Sequence, residues 1–235
     1  MKVDAYPDAE SLARAAAAHF VEQAGAAIAG RGRFTVALSG GATPRAMHRL
    51  LASEAFAGRV DWARVHVFWG DERCVPPHHP DSNYRMARET LLDHVPIPAA
   101  NIHRMRGEID PTEAAAAYEV ELRAVFGAGT TPRLDLILLG MGDDGHTASL
   151  FPGAAAVREG ERWVVAHYVE KLGAWRLTLT PVVINASAQV TFVVAGAEKA
   201  GVLRAVLEGP HQPDVLPAQV VRPAEGRLRW MVAVA

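Results

Sequence analysis

Cysteine is almost missing: Cys74 is the only one in 235 residues, so no disulfide can close within the chain and a reducing, cytoplasmic setting is expected. An excess of charge of one sign is missing too. Lys and Arg number 24 against 26 Asp and Glu, a formal net charge of −2, which excludes the broad positive field used for nonspecific binding to nucleic acid or to anionic membranes. The alanine-rich stretch near the N-terminus is interrupted by Asp8, Glu10, Arg14 and Glu22, so it reads neither as a membrane span nor as a secretory signal. No GxSxG elbow occurs, which argues against a serine esterase of the α/β-hydrolase kind. With half of its residues hydrophobic, the chain can still close a substantial core. An anionic ligand would then have to be recognised by a local site.

What is present alternates between helical and strand patterns. Residues 8–29 predict an Ala-rich helix with Asp8 as N-cap. An apolar run at 34–38 is followed by a turn of small residues and a helix from Thr43 into the low fifties. A second strand, 65–69, ends in Gly70-Asp71-Glu72-Arg73, and Pro76, Pro77 and Pro80 make the next stretch a loop. Asp110-Pro111-Thr112-Glu113 is a helix start, with a cap, Pro at N1 and Glu at N3. The Leu/Ile run at 134–139 suits a parallel strand covered on both faces. Further strands are expected at 163–168, 175–179, 189–195 and 228–234, with a helix near 198–207. No repeat or linker divides the chain. The expectation is one α/β domain over 1–235, a mostly parallel, Rossmann-like, doubly wound sheet with helices on both faces.

In such sheets ligands gather at the carboxyl ends of strands, and three strand ends carry polar loops. In Ser39-Gly40-Gly41-Ala42-Thr43-Pro44, paired glycines can bring backbone N–H groups close to a ligand, and Thr43 with Pro44 would start a helix pointing at the same spot. An ordinary strand-to-helix turn remains the alternative; a Walker loop does not, because its Lys is missing. Gly70-Asp71-Glu72-Arg73 places two carboxylates and a guanidinium together, either as a solvated edge or as a site in which Arg73 grips phosphate. The segment Gly140-Met141-Gly142-Asp143-Asp144-Gly145-His146 formally holds GxGxxG. A dinucleotide is nevertheless unexpected there, because Asp143 and Asp144 would face the pyrophosphate and Pro152-Gly153 stops any crossover helix. What remains is a histidine beside a carboxylate, suited to general-base work near neutral pH. Arg176 and Lys199, read alone, are surface charges. Cys74 has no His partner nearby and reads as a bystander, and His78-His79 with Asp81 matches no standard zinc frame.

Taken together, Ser-Gly-Gly-Ala-Thr-Pro at 39–44, Asp-Glu-Arg at 71–73 with Ser82-Asn83-Tyr84, Leu-Gly-Met-Gly-Asp-Asp-Gly-His-Thr-Ala-Ser-Leu-Phe-Pro at 139–152 and Trp-Arg-Leu-Thr at 175–178 resemble the 6-phosphogluconolactonase family, in order and from about residue 30 to 210. The resemblance implies hydrolysis of 6-phospho-D-glucono-1,5-lactone, the second step of the oxidative pentose phosphate route, without metal or organic cofactor. It implies His146 as general base, with Asp71 and Asp144 orienting the histidine or sugar hydroxyls. Ser39, Gly40, Gly41, Thr43, Arg73, Arg176 and Lys199 would hold the phosphate or neighbouring hydroxyls. Functional coupling to glucose-6-phosphate dehydrogenase is a further expectation. Glucosamine-6-phosphate deaminase is a relative with similar loops, but its pattern carries a Glu five residues after the His, where this chain has Phe151, and an aromatic residue where this chain has Arg73. A non-catalytic sugar-phosphate-binding protein is the remaining alternative.

Overall fold

The computed structural model describes residues 1–127 and 129–234. A short strand that the sequence reading did not anticipate, β1 (Lys2–Ala5), leads into α1 (Ala9–Arg31). Asp8 lies in extended backbone, and its carboxylate accepts the Ser11 N–H at 2.7 Å, the capping bond its position predicts. Gly32 ends the helix in the left-handed region, with φ 75°. There follow β2 (Phe34–Leu38), α2 (Ala42–Leu51), β3 (Val65–Trp69), the three-residue β4 (Asp71–Arg73) and α3 (Asn83–Thr90). Next come α4 (Pro111–Phe126), β5 (Leu136–Leu139), β6 (Val164–Val169) and β7 (Ala174–Leu179). The last elements are α5 (Pro181–Ala186), β8 (Gln189–Ala195), α6 (Ala200–Glu208) and β9 (Arg227–Ala233). Asp110 caps α4 through the N–H groups of Thr112 and Glu113, with Pro111 in the first turn.

The main sheet has six parallel strands in the order β1-β9-β8-β5-β2-β3. Its faces carry two cores. Leu12, Phe20 and Ala27 of α1, Met47 and Leu51 of α2 and Ala87 of α3 pack with Val36, Leu136 and Met231 on one side. Tyr118 and Leu122 of α4, Ile184 of α5 and Leu203 of α6 pack with Ala37, Ile137 and Phe192 on the other. All four residues of β5 are buried, as the unbroken Leu/Ile run implies. This is the doubly wound α/β class expected.

Residues 163–168 and 175–179 depart from that expectation. They form β6 and β7, an antiparallel hairpin that joins β4 in a separate sheet of order β4-β7-β6. Gly173, at φ 59°, supplies the left-handed residue for the reversal. Leu177 and Leu179 join the core under α4, whereas Tyr168 and Trp175 lie outside. Residues 71–73 are thus a strand rather than a free loop edge. The Pro-rich loop beyond them ends at Ser82, whose hydroxyl caps α3 by accepting the Arg85 N–H at 3.1 Å. α2 also begins earlier: Gly41 is its N-cap, so Thr43 does not cap it and Pro44 lies beyond N1.

Between β3 and β5 the chain reverses its path across the sheet, leaving β2 flanked by both. The carboxyl ends of β2 and β5 therefore diverge at a switch point, where a crevice opens. The short β4 sheet walls that crevice.

Candidate active site

A cleft of about 600 Å³ lies at this point, with Ser39, Gly40, Gly41 and Thr43 on one wall and His146 on another. Asp71, Arg73, Arg176 and Lys199 also line it, so residues from loops far apart in the chain converge on one space. Asp144 does not line the cleft; it sits behind His146.

The loop after β5 is built around His146. Its Nδ1–H donates to Asp144 Oδ1 at 2.6 Å, and its backbone N–H donates to the same oxygen at 3.1 Å. Burial opposes ionisation of Asp144, but hydrogen bonds from Lys171 and His146 outweigh it and hold the carboxyl at about 2. An ionised Asp144 fixes the proton on Nδ1 and leaves Nε2 as the basic nitrogen. Phe151 stacks on the imidazole with centroids 4.3 Å apart, and Gly142 supplies the space on which the ring rests. A Cβ at Gly142 would collide with Cε1 and Nδ1 of His146. Gly142 thus makes room for a side chain. No helix follows β5 in the next turn, which removes the geometry a GxGxxG pyrophosphate site needs.

Asp71 has another role. Its Oδ2 accepts the Ser149 hydroxyl at 2.7 Å, and the Asn83 amide donates to its backbone carbonyl at 3.0 Å. Ala148, with φ 47°, bends the chain between His146 and Ser149, so a left-handed residue without the freedom of glycine sits beside the base. His167 of β6 donates its Nε2–H to the Ser149 carbonyl at 2.6 Å and ties this segment to the small sheet. Of the two acids proposed to orient the base, Asp144 touches the ring, whereas Asp71 is bonded to Ser149 and Asn83.

Glu72 is buried and gathers the start of α3. Its Oε1 accepts the N–H groups of Arg73 and Asn83, and its Oε2 accepts the Ser82 hydroxyl and the Tyr84 N–H. Burial pushes its carboxyl above the usual range, and the three backbone N–H bonds oppose that rise. Arg73 and Arg176 are directly opposite in the β4–β7 register. Burial lowers the Arg176 pKa from its ordinary value, and the neighbouring Arg73 charge adds to that. Arg73 also donates to the Asp81 carbonyl at 2.6 Å. Lys199 stands at the start of α6. Cys74 is half-buried and its thiol is pushed up to about 11, which removes any thiolate chemistry near neutral pH.

The family model described as glucosamine-6-phosphate isomerases/6-phosphogluconolactonase matches residues 7–230. The chain belongs to that family. It is 47% identical over 209 residues to a 6-phosphogluconolactonase of Synechocystis sp., covering 88% of this chain and 84% of the relative. A 6-phosphogluconolactonase of Haemophilus influenzae is 38% identical over 195 residues, covering 83% and 82%. Among solved structures, the 6-phosphogluconolactonase of Trypanosoma brucei superposes with a TM-score of 0.88 at 29% identity, covering 99% of this chain and 95% of that one. A monomeric glucosamine-6-phosphate deaminase, at 20% identity and a TM-score of 0.81 over 99% and 97% of the two chains, shares the fold. At Phe151, the position on which the sequence set the chain against a deaminase, an aromatic ring lies on His146.

Sequence reasoning missed Asn83, Ser149, His167 and Lys171 as parts of the site. Asn83 and Ser149 lie inside the motifs but carry no chemical signature of their own. His167 and Lys171 reach the site only because the β6–β7 hairpin folds against it.

Proposed function

We propose that this family member hydrolyses 6-phospho-D-glucono-1,5-lactone to 6-phosphogluconate, with His146 as general base. The observation that carries the reading is a histidine fixed by an ionised carboxylate on Nδ1, lining a cleft that Arg73, Arg176 and Lys199 also line. Arg73 and Arg176 anchor the phosphate, assisted by the Gly40–Gly41 backbone at the start of α2. Anchoring the remote phosphate sets the lactone carbonyl beside Nε2. Nε2 takes a proton from water as its oxygen adds to the carbonyl, and Asp144 stabilises the imidazolium that forms. Collapse of the tetrahedral intermediate breaks the ring C–O bond, and the imidazolium returns its proton to the leaving ring oxygen. Cleft cations and N–H groups of the glycine loops support the transient oxyanion. A positioned base of this kind contributes on the order of 10²–10⁴-fold.

Asp71, through Ser149, holds the loop that carries the base and also faces the sugar hydroxyls. The same reading places the enzyme in the cytoplasm, with glucose-6-phosphate dehydrogenase supplying the lactone. No helix of the described residues is long and apolar enough to cross a membrane.

The test is the decay of freshly generated 6-phosphogluconolactone, corrected for spontaneous ring opening, with native protein and with His146→Ala. The variant is expected to bind 6-phosphogluconate normally and to lose most of kcat. An unchanged kcat removes His146 from this role, and no acceleration by the native chain removes the reaction.

A further inference from the structure

The six-stranded sheet has two edges, and the chain treats them differently. At β3 the edge is closed. Ile102 bridges Val67 in parallel, and the His103 N–H donates to the Val67 carbonyl at 2.8 Å, so a loop occupies the outer hydrogen-bonding positions. At β1 the edge is open. Among the described residues this strand pairs with β9 alone, and Met1, Lys2, Val3 and Ala5 are exposed, Val3 at 47%. The Tyr6 N–H donates to the Val232 carbonyl of β9 at 2.8 Å. Backbone groups alternate sides along a strand, so those of Lys2 and Asp4 also turn toward β9, and those of Val3 and Ala5 turn outward. Such an outward row is a template for another strand. The side chains restrict which strand it accepts. Lys2 and Asp4 share the face of α1, where their charges lie 3.1 Å apart, whereas Val3 lies on the face of Trp230, its register partner.

We propose that β1 pairs antiparallel with β1 of a second copy of this chain, about a two-fold axis through Val3, and so joins the main sheets of both copies into one. Antiparallel bonding sets outward groups against outward groups, which leaves few registers. With Val3 opposite Ala5, the Asp4 carboxylates of both copies meet across the axis and repel. With Ala5 opposite Ala5, Lys2 falls outside the paired strands. With Val3 opposite Val3, Lys2 stands opposite Asp4 of the partner subunit and Asp4 opposite Lys2 of the partner subunit, while the exposed Val3 side chains cover each other. A lysine on an open edge ordinarily keeps other strands away. Here a carboxylate two residues further on answers it, in the self-complementary arrangement that a two-fold axis demands. That complementarity makes the occupant a second copy rather than an unrelated strand.

A contact built on one short strand pair belongs to the small, reversible class of interface. The test therefore follows the full chain, tagged only at its C-terminus, by sedimentation velocity from about 10 µM to about 1 mM. The native chain is expected to pass from monomer to dimer across that range. Lys2→Glu turns attraction into repulsion at both symmetry-related pairs and should weaken dimerisation by about tenfold or more. Val3→Lys sets like charges against each other on the axis and should leave only monomer. Both positions are exposed, so thermal unfolding of each variant at about 10 µM, where monomer dominates, should match native and separates lost pairing from lost folding. A native chain that stays monomeric at about 1 mM overturns the proposal. A dimer that survives Val3→Lys overturns it too, by placing the interface elsewhere, and a dimer untouched by Lys2→Glu overturns the register on which it stands. Neither position lines the cleft, so the outcome is independent of the lactonase reading.

Discussion

Replacing Gly142 by alanine should cripple the enzyme while adding only one methyl group. The backbone tolerates the change, since Gly142 is not among the residues with positive φ. The obstacle is the imidazole: the new Cβ would stand 3.0 Å from His146 Cγ and well inside contact distance of Cε1 and Nδ1. To regain ordinary contact the ring has to retreat by on the order of 1 Å. Phe151 lies against the imidazole at 4.3 Å and blocks one direction, so the ring has to slide or tilt away from its bond to Asp144. A misplacement of about 1 Å at a reacting group costs about 10²-fold, and complete loss of a general base costs about 10²–10⁴-fold. We expect kcat to fall by about 10²-fold or more. Affinity for 6-phosphogluconate, measured by calorimetry, should stay within about threefold, because the proposed phosphate anchors, Arg73 and Arg176, are on the small sheet. The control is Gly160→Ala, whose Cβ would meet nothing within 4 Å. A Gly142→Ala enzyme with kcat within about twofold of native would refute the idea that ring placement against Gly142 governs the base.

Two further outcomes concern stability. In Glu72→Gln, either orientation of the amide turns an NH₂ group toward N–H or O–H donors, since both carboxylate oxygens accept two bonds each. A loss of about 2–3 kcal/mol is expected in urea unfolding at neutral pH, and a loss under about 0.5 kcal/mol would contradict it. His19 is the second case. It is buried, its Nδ1 accepts from Arg229 at 3.1 Å, and burial first and Arg229 second lower its pKa to about 4. Because the folded value lies below the unfolded one, this stabilisation is full above pH 6.5 and disappears as pH falls toward about 4. Unfolding free energy should drop by on the order of 2–3 kcal/mol across that window. His19→Gln should show a flatter dependence; an equally steep one would assign the loss to other groups, of which buried His48, lowered by burial to about 3, is the first to examine.

The elements that sequence alone reveals are those whose signals are local. Asp8 and Asp110 cap the helices they precede, and the unbroken apolar run before Gly140 lies in the centre of the sheet. The small sheet was hidden because β4 is three residues long and owes its existence to β7, over a hundred residues away. Apolar runs that end in an antiparallel hairpin look much like runs that end in a parallel sheet until their partners are known. The motifs legible in the sequence converge in space: Ser39, Asp71, Arg73, His146 and Arg176 line one cleft. The division of labour between Asp71 and Asp144 was not legible. The motifs offered both acids for the histidine or the sugar hydroxyls, and only the fold bonds Asp144 to the ring and delivers the Ser149 hydroxyl to Asp71 past the left-handed bend at Ala148. Thr43 shows the converse failure: a good capping residue lost its place because Gly41, at φ 109°, opens the helix two residues sooner.

The facing guanidinium groups of Arg73 and Arg176 connect recognition to folding. Like charges opposite one another on neighbouring strands repel, and Asp71 of β4 and Asp81 offset part of that repulsion at Arg176. On the proposed reading, a phosphate dianion held by both arginines would turn that mutual repulsion into two attractions. The affinity then contains a share released by the protein as well as a share formed with the ligand. A sugar lactone without phosphate would gain neither, so the proposed anchor would act as a filter for substrate and, at the same time, as a brace that a bound phosphate ester lends to the fold.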